Sequence, residues 1–150
     1  MTYEIKGKHQ SKASVRHIIK ALQSELPRHY GRILSVTNSS IEFTSPITQF
    51  NWNIFAPVSH GMITVKQQGE RSILSYQISL FRVRVMLVIF SIMVILLTLN
   101  SGEPAVSLTL APVGIAIAWG WVYGMNYLTT KARVSTFFAR VLREIPEEEY

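Results

Sequence analysis

The chain has 150 residues, room for about one domain, yet 48% of them are hydrophobic and only 16% charged, which is little charge for a fold that lives in water. Cysteine is absent, so disulfides and thiolate metal sites are excluded. All nine acidic residues are glutamate, which excludes motifs built on aspartate, such as the calcium-binding loop and the kinase aspartate pair.

Residues 1–82 read as a cytoplasmic α+β domain, an antiparallel meander sheet with one N-terminal helix across it. Tyr3 and Ile5 alternate with Thr2, Glu4 and Lys6, a short strand. SKASVRHIIKALQSEL then sets Val15, Ile18, Ile19, Leu22 and Leu26 at helical spacing, with Ser11 or Ser14 as N-cap and Pro27 and Gly31 marking the exit. Strand-like segments follow at 32–37, 41–44, 50–56, 62–67 and 72–80. In FNWNIFA, Phe50, Trp52 and Ile54 take one face and Asn51 and Asn53 the other. Turns are expected at Asn38-Ser39-Ser40, Ser59-His60-Gly61 and Gly69-Glu70.

Between Val85 and Thr130 the only charge is Glu103. The run on either side of it is long enough to cross a hydrocarbon core of roughly 30 Å at about 1.5 Å per residue. Neither run has the polar stripe of a surface helix, and so small a domain cannot bury two all-round apolar helices. The expectation is a transmembrane hairpin over 83–130, with spans at about 83–100 and 105–127 joined by LNSGEPAV. Pro104 fits a first helical turn, and Pro112 is expected to kink the second span. The polar start MTYEIKGKHQ does not read as a cleavable signal peptide.

Orientation follows from the cations. Arg82 and Arg84 precede the first span and Lys131 and Arg133 follow the second, while the connecting loop has none, which places both termini in the cytoplasm of a multi-pass inner-membrane protein. Trp119, Trp121, Tyr123 and Tyr127 are expected at the headgroup level on the same side. Ala116, Gly120 and Gly124 recur every four residues, a small-residue groove for the first span or for another subunit.

Residues 131–150 read as a cytoplasmic amphipathic helix ending in an acidic tail. Val134, Phe137, Phe138, Val141, Leu142 and Ile145 form its apolar face, with Arg133, Arg140 and Arg143 turned away. That face needs a cover. The sheet of the N-terminal domain is the preferred one, with the membrane surface and another protein as alternatives. In architecture alone, the order strand, helix, meander, late helix resembles helix-grip domains, which hold hydrophobic ligands.

No constellation in the sequence points to catalysis, and no cofactor or metal is expected. His9, His17, His29 and His60 lack metal-ligand spacing, and neither a phosphate loop nor a dinucleotide fingerprint is present. Residues 1–82 carry ten Lys or Arg against four Glu, and the cations are scattered rather than interleaved with exposed aromatics, which favours an anionic membrane surface over nucleic acid as neighbour. The functional expectation is a non-enzymatic accessory, scaffold or regulatory subunit, its partners being the lipid bilayer and a membrane protein or further copies of itself. A module holding lipid or another apolar ligand is one alternative. An oligomeric channel using Ser91, Thr98, Ser107 and Thr109, or an enzyme formed on assembly, is another.

Overall fold

A two-residue turn sets the register of the sheet. Gln68 pairs with Arg71 across Gly69-Glu70, and Gly69 supplies the φ of 62° that so tight a hairpin requires. The strands leaving this turn, β4 (His60–Gln68) and β5 (Arg71–Ser79), alternate: Gly61, Ile63 and Val65 of one and Ser72, Leu74, Tyr76 and Ile78 of the other are buried. The structure, a computed structural model, describes residues 4–29, 31–45, 57–100 and 104–145, with 104–110 as backbone only. The expected strand at 50–56, residues Thr2 and Tyr3, the loop 101–103, the tail 146–150 and the side chains of Ser107 and Thr109 lie outside the described residues.

Among the described residues the fold is α+β, with a five-stranded antiparallel sheet in the order β1-β5-β4-β3-β2. The strands β2 (Arg32–Val36), β3 (Ser40–Thr44), β4 and β5 form an antiparallel meander in which β3 pairs directly with β4, the position expected for the segment 50–56, and β1 (Glu4–Ser11) returns to pair with β5. That first strand is longer than its alternation suggested, because Gly7 and the polar His9 and Ser11 continue the inner face begun by Ile5. Leu34 is the extra residue of a bulge in β2, where the register shifts between Ile33 and Ser35.

One face of the sheet is covered by two helices. Helix α1 (Val15–Arg28) buries Ile18, Ile19, Leu22 and Leu26, the stripe its spacing sets. It runs past Pro27, where an exit was expected: so near the end the ring forgoes a single backbone bond, and the turn is closed by His29 N–H to Glu25 O and Gly31 N–H to Leu26 O at 2.8 Å.

Helix α2 (Phe81–Leu99) starts directly after β5, and it is the described helix long and apolar enough to cross a membrane, with 6% of its apolar window buried. Helix α3 (Pro104–Ala118), a π-helical segment (Trp119–Tyr123) and helix α4 (Gly124–Glu144) follow one another without a break in helical backbone. The separate C-terminal helix expected from residue 131 is therefore the continuation of the preceding apolar helix. It reaches the core earlier than expected, since Tyr127 packs on the core and Thr130 is buried.

Candidate functional site

A hydrogen-bonded joint ties α2 to the sheet. The Ser59 hydroxyl donates to Ser79 O at 2.8 Å and accepts Phe81 N–H at 3.2 Å, satisfying one of the free donors at the helix start. Thr44 Oγ1 donates to Ser59 O at 2.7 Å. Arg82 completes the set: its guanidinium donates to Ser45 O and, at 3.3 Å, to Thr44 Oγ1. Arg82, expected as a cation flanking the first span, is half-buried in this joint, where the fork of its guanidinium matches one acceptor at the end of β3 and one just after it. Arg84, Lys131 and Arg133 are exposed.

Beyond the joint, α2 contacts α3 and the π segment. Trp119 Nε1 donates to Ser91 Oγ at 2.9 Å, while Ser91 Oγ donates to Leu87 O. Ser91 lies ten positions beyond Phe81, about 15 Å along the helix. Trp119 is therefore placed half-way along α2 and not at the end where a headgroup-level ring was expected; a hydroxyl acceptor inside an otherwise apolar helix accounts for the difference. Trp121 is 70% exposed, Tyr123 half-buried, and Tyr127 lies against the domain core.

The stripe of Ala116, Gly120 and Gly124 does not receive α2. A methyl group added at Gly120 or Gly124 would meet no atom within 4 Å, and Ala116 is exposed. The large apolar residues of the two helical runs, among them Ile89, Leu96, Leu97 and Ile117, also face outward.

The apolar face of α4 meets the sheet. Val134, Phe137, Phe138, Val141 and Leu142 are buried in the same core as Ile5, Leu74 and Tyr76, with Ile145 partly buried at its edge. Phe138 packs on Tyr76 at 4.8 Å between ring centroids, and Phe137 meets the edge of His29 at 5.1 Å. Arg140, expected to point away, donates to His29 Nε2 at 3.0 Å and so links α4 to the end of α1.

Where α4 meets the sheet sit two ionisable side chains with shifted titration. Burial lowers the pKa of His9, which stacks on Tyr76 at 6.0 Å and lies 3.5 Å from Ser135 Oγ. Burial raises that of Tyr76, partly offset by a hydrogen bond with Ser135. Compared with protein-family models, with curated proteins and with solved structures, the chain matches none.

Among the described residues no three His, Cys, Asp or Glu side chains converge as a metal site. His60 pairs with Glu42 at 3.2 Å on the open face of the sheet, where Met62 is half-exposed between Lys6, Lys8, Thr64 and Gln77. The joint residues Ser59 and Thr44 carried no distinguishing sequence signal. Ser91 did, as the one polar residue from Val85 to Leu97.

Proposed function

We propose that this chain is a two-span integral membrane protein, both termini cytoplasmic, whose α+β domain is an accessory, scaffold or regulatory module for a membrane partner. The observation that carries this reading is the outward-facing apolar surface of α2 and of the helix running on from α3. Water does not tolerate an apolar patch of that extent on a monomer, whereas lipid or another membrane protein covers it without cost. The cation pattern on either side of the runs supports a cytoplasmic domain.

Support for a docking role comes from the joint. A domain held by Ser59, Thr44 and Arg82 keeps one orientation to the helices, and its open sheet face, centred on Met62, is turned to a constant side. Between the sheet and α4, Tyr76, Phe137 and Phe138 pack against one another.

Because the chain lacks cysteine, single introduced thiols report topology directly. In intact cells an impermeant maleimide is expected to label Asn100→Cys, and to reach Lys131→Cys only after lysis. The reverse pattern, or a chain that stays monomeric in buffer without detergent, overturns the two-span reading. Purification in mild detergent is expected to retain a stoichiometric companion, and a persistently solitary monomer removes the accessory role.

A further inference from the structure

At the end of the domain opposite α2, three elements border an open cavity of about 450 Å³. The end of β1 with the loop after it, the first residue of β5 and the last turn of α4 form its walls. From these separate elements Lys12, Arg71 and Arg143 all contribute to the lining, and Ala139 and Leu142 supply an apolar wall.

The frame that brings these groups together is fixed. The Ser72 hydroxyl donates to Ala13 O at 2.7 Å, tying the loop after β1 to β5. Arg71 donates to Gln10 Oε1 at 3.3 Å, which leaves the other guanidinium donors of its fork for a ligand.

We propose that this cavity is a binding site for a small soluble anion of the organic-phosphate class, with phosphate oxygens on Arg71 and Arg143 and the organic portion on Leu142. Two guanidinium groups at one cavity favour planar, multidentate oxyanions over a single negative charge. The volume falls within the range of small-ligand sites, and an apolar wall beside a few convergent polar groups is their usual composition. Arg71 opens β5 and Ser79 closes it two residues before α2, so the site stands about 26 Å from the start of α2 at roughly 3.3 Å per strand residue. A dissolved ligand reaches it, whereas a headgroup of the membrane that α2 enters does not. The binding site itself uses only the domain and stands apart from the proposed accessory role; only the exclusion of headgroups rests on the reading that α2 enters a membrane.

The test uses the full chain in nanodiscs of neutral phosphatidylcholine, titrated calorimetrically with inorganic phosphate, pyrophosphate and adenosine diphosphate. Pyrophosphate and the nucleotide are expected to bind more tightly than phosphate. Arg71→Gln and Arg143→Gln are each expected to weaken binding about tenfold, or about 1.4 kcal/mol, with unchanged melting, while Lys20→Gln has no effect. A double variant that still binds, or no heat from any of the three at about 10 mM, overturns the proposal. Methyl shifts in the unaltered protein provide a readout without substitution: changes confined to Ala139 and Leu142 support the site, and changes scattered over the surface refute it. Loss of binding when phosphatidylserine is added to the discs assigns the chemistry to lipid and refutes the soluble ligand.

Discussion

The ring of Tyr76 lies across the backbone of Gly7, its direct partner between β5 and β1. A Cβ built on Gly7 would come within 2.2 Å of the Tyr76 ring carbon and hydroxyl. The same arrangement recurs two strands away, where a Cβ on Gly61 would come within 2.3 Å of Phe43, its partner on β3. Each glycine thus gives an inward-facing aromatic ring a place to lie flat on the sheet beneath the helices.

These contacts predict that Gly7→Ala and Gly61→Ala destabilise the domain by about 1–3 kcal/mol each, the usual cost of overfilling a packed core. Neither ring is free to swing away, for Tyr76 is held between His9 and Phe138 and Phe43 is fully buried. Denaturation of the detergent-solubilised chain measures the effect. A shift below about 0.5 kcal/mol would show that the rings move aside. Pairing Gly7→Ala with Tyr76→Leu should return part of the loss.

Phe138 is fully buried between the sheet and Phe137, so Phe138→Ala is expected to cost about 3–5 kcal/mol. The consequence is long-range in sequence: strands formed by residues 4–79 lose stability through a change beyond the apolar helices. Amide exchange in β1 and β5 reports it. Protection that survives in both strands would mean that α4 only rests on the domain.

Helical and strand periodicities made α1, the approximate positions of β4 and β5, and the apolar face of α4 legible, since each depends only on local spacing. What α4 covers was legible only as a preference for the sheet, because a membrane surface and a second protein satisfy the same stripe. The glycine contacts required the cross-strand register, which no local pattern gives for strands as far apart as β1 and β5. Arg82 illustrates the limit most directly: beside an apolar run it reads as an orienting charge, and only the position of Ser45 and Thr44 turns it inward.

His9 predicts how stability depends on pH. Its folded-state pKa lies below the ordinary 6.5, because burial penalises the imidazolium. Above about 6.5 both states are neutral and the fold keeps its full stability; as pH falls, the unfolded chain takes up the proton first, and stability declines until the folded pKa is passed. Melting temperature is therefore expected to fall as pH drops from 7 through the ordinary histidine value of 6.5, and His9→Gln should flatten that slope. An unchanged slope in the variant would assign the effect to other groups.

Trp119 and Ser91 give a prediction for the contact between the helices. Trp119→Phe keeps the aromatic packing and removes the donor, and Ser91→Ala removes the acceptor. Hydrogen bonds between membrane helices contribute about 0.6 kcal/mol on average and up to about 1.7. A double-mutant cycle on unfolding in detergent is expected to give a coupling energy in that range, whereas additive effects would show the pair does not interact.

Arg82→Lys separates two roles that one residue combines. The substitution keeps the positive charge beside the apolar run, so thiol labelling at Asn100→Cys should not change. An ammonium lacks the planar fork that reaches Ser45 O and Thr44 Oγ1 together, so the joint should weaken by about 1 kcal/mol or more, with faster amide exchange at Phe81. Removing the Ser59 hydroxyl in Ser59→Ala should loosen the same helix start without touching any charge. If Arg82→Lys alters labelling while leaving exchange at Phe81 unchanged, the arginine acts through orientation alone, and the fixed attitude of the domain has another cause.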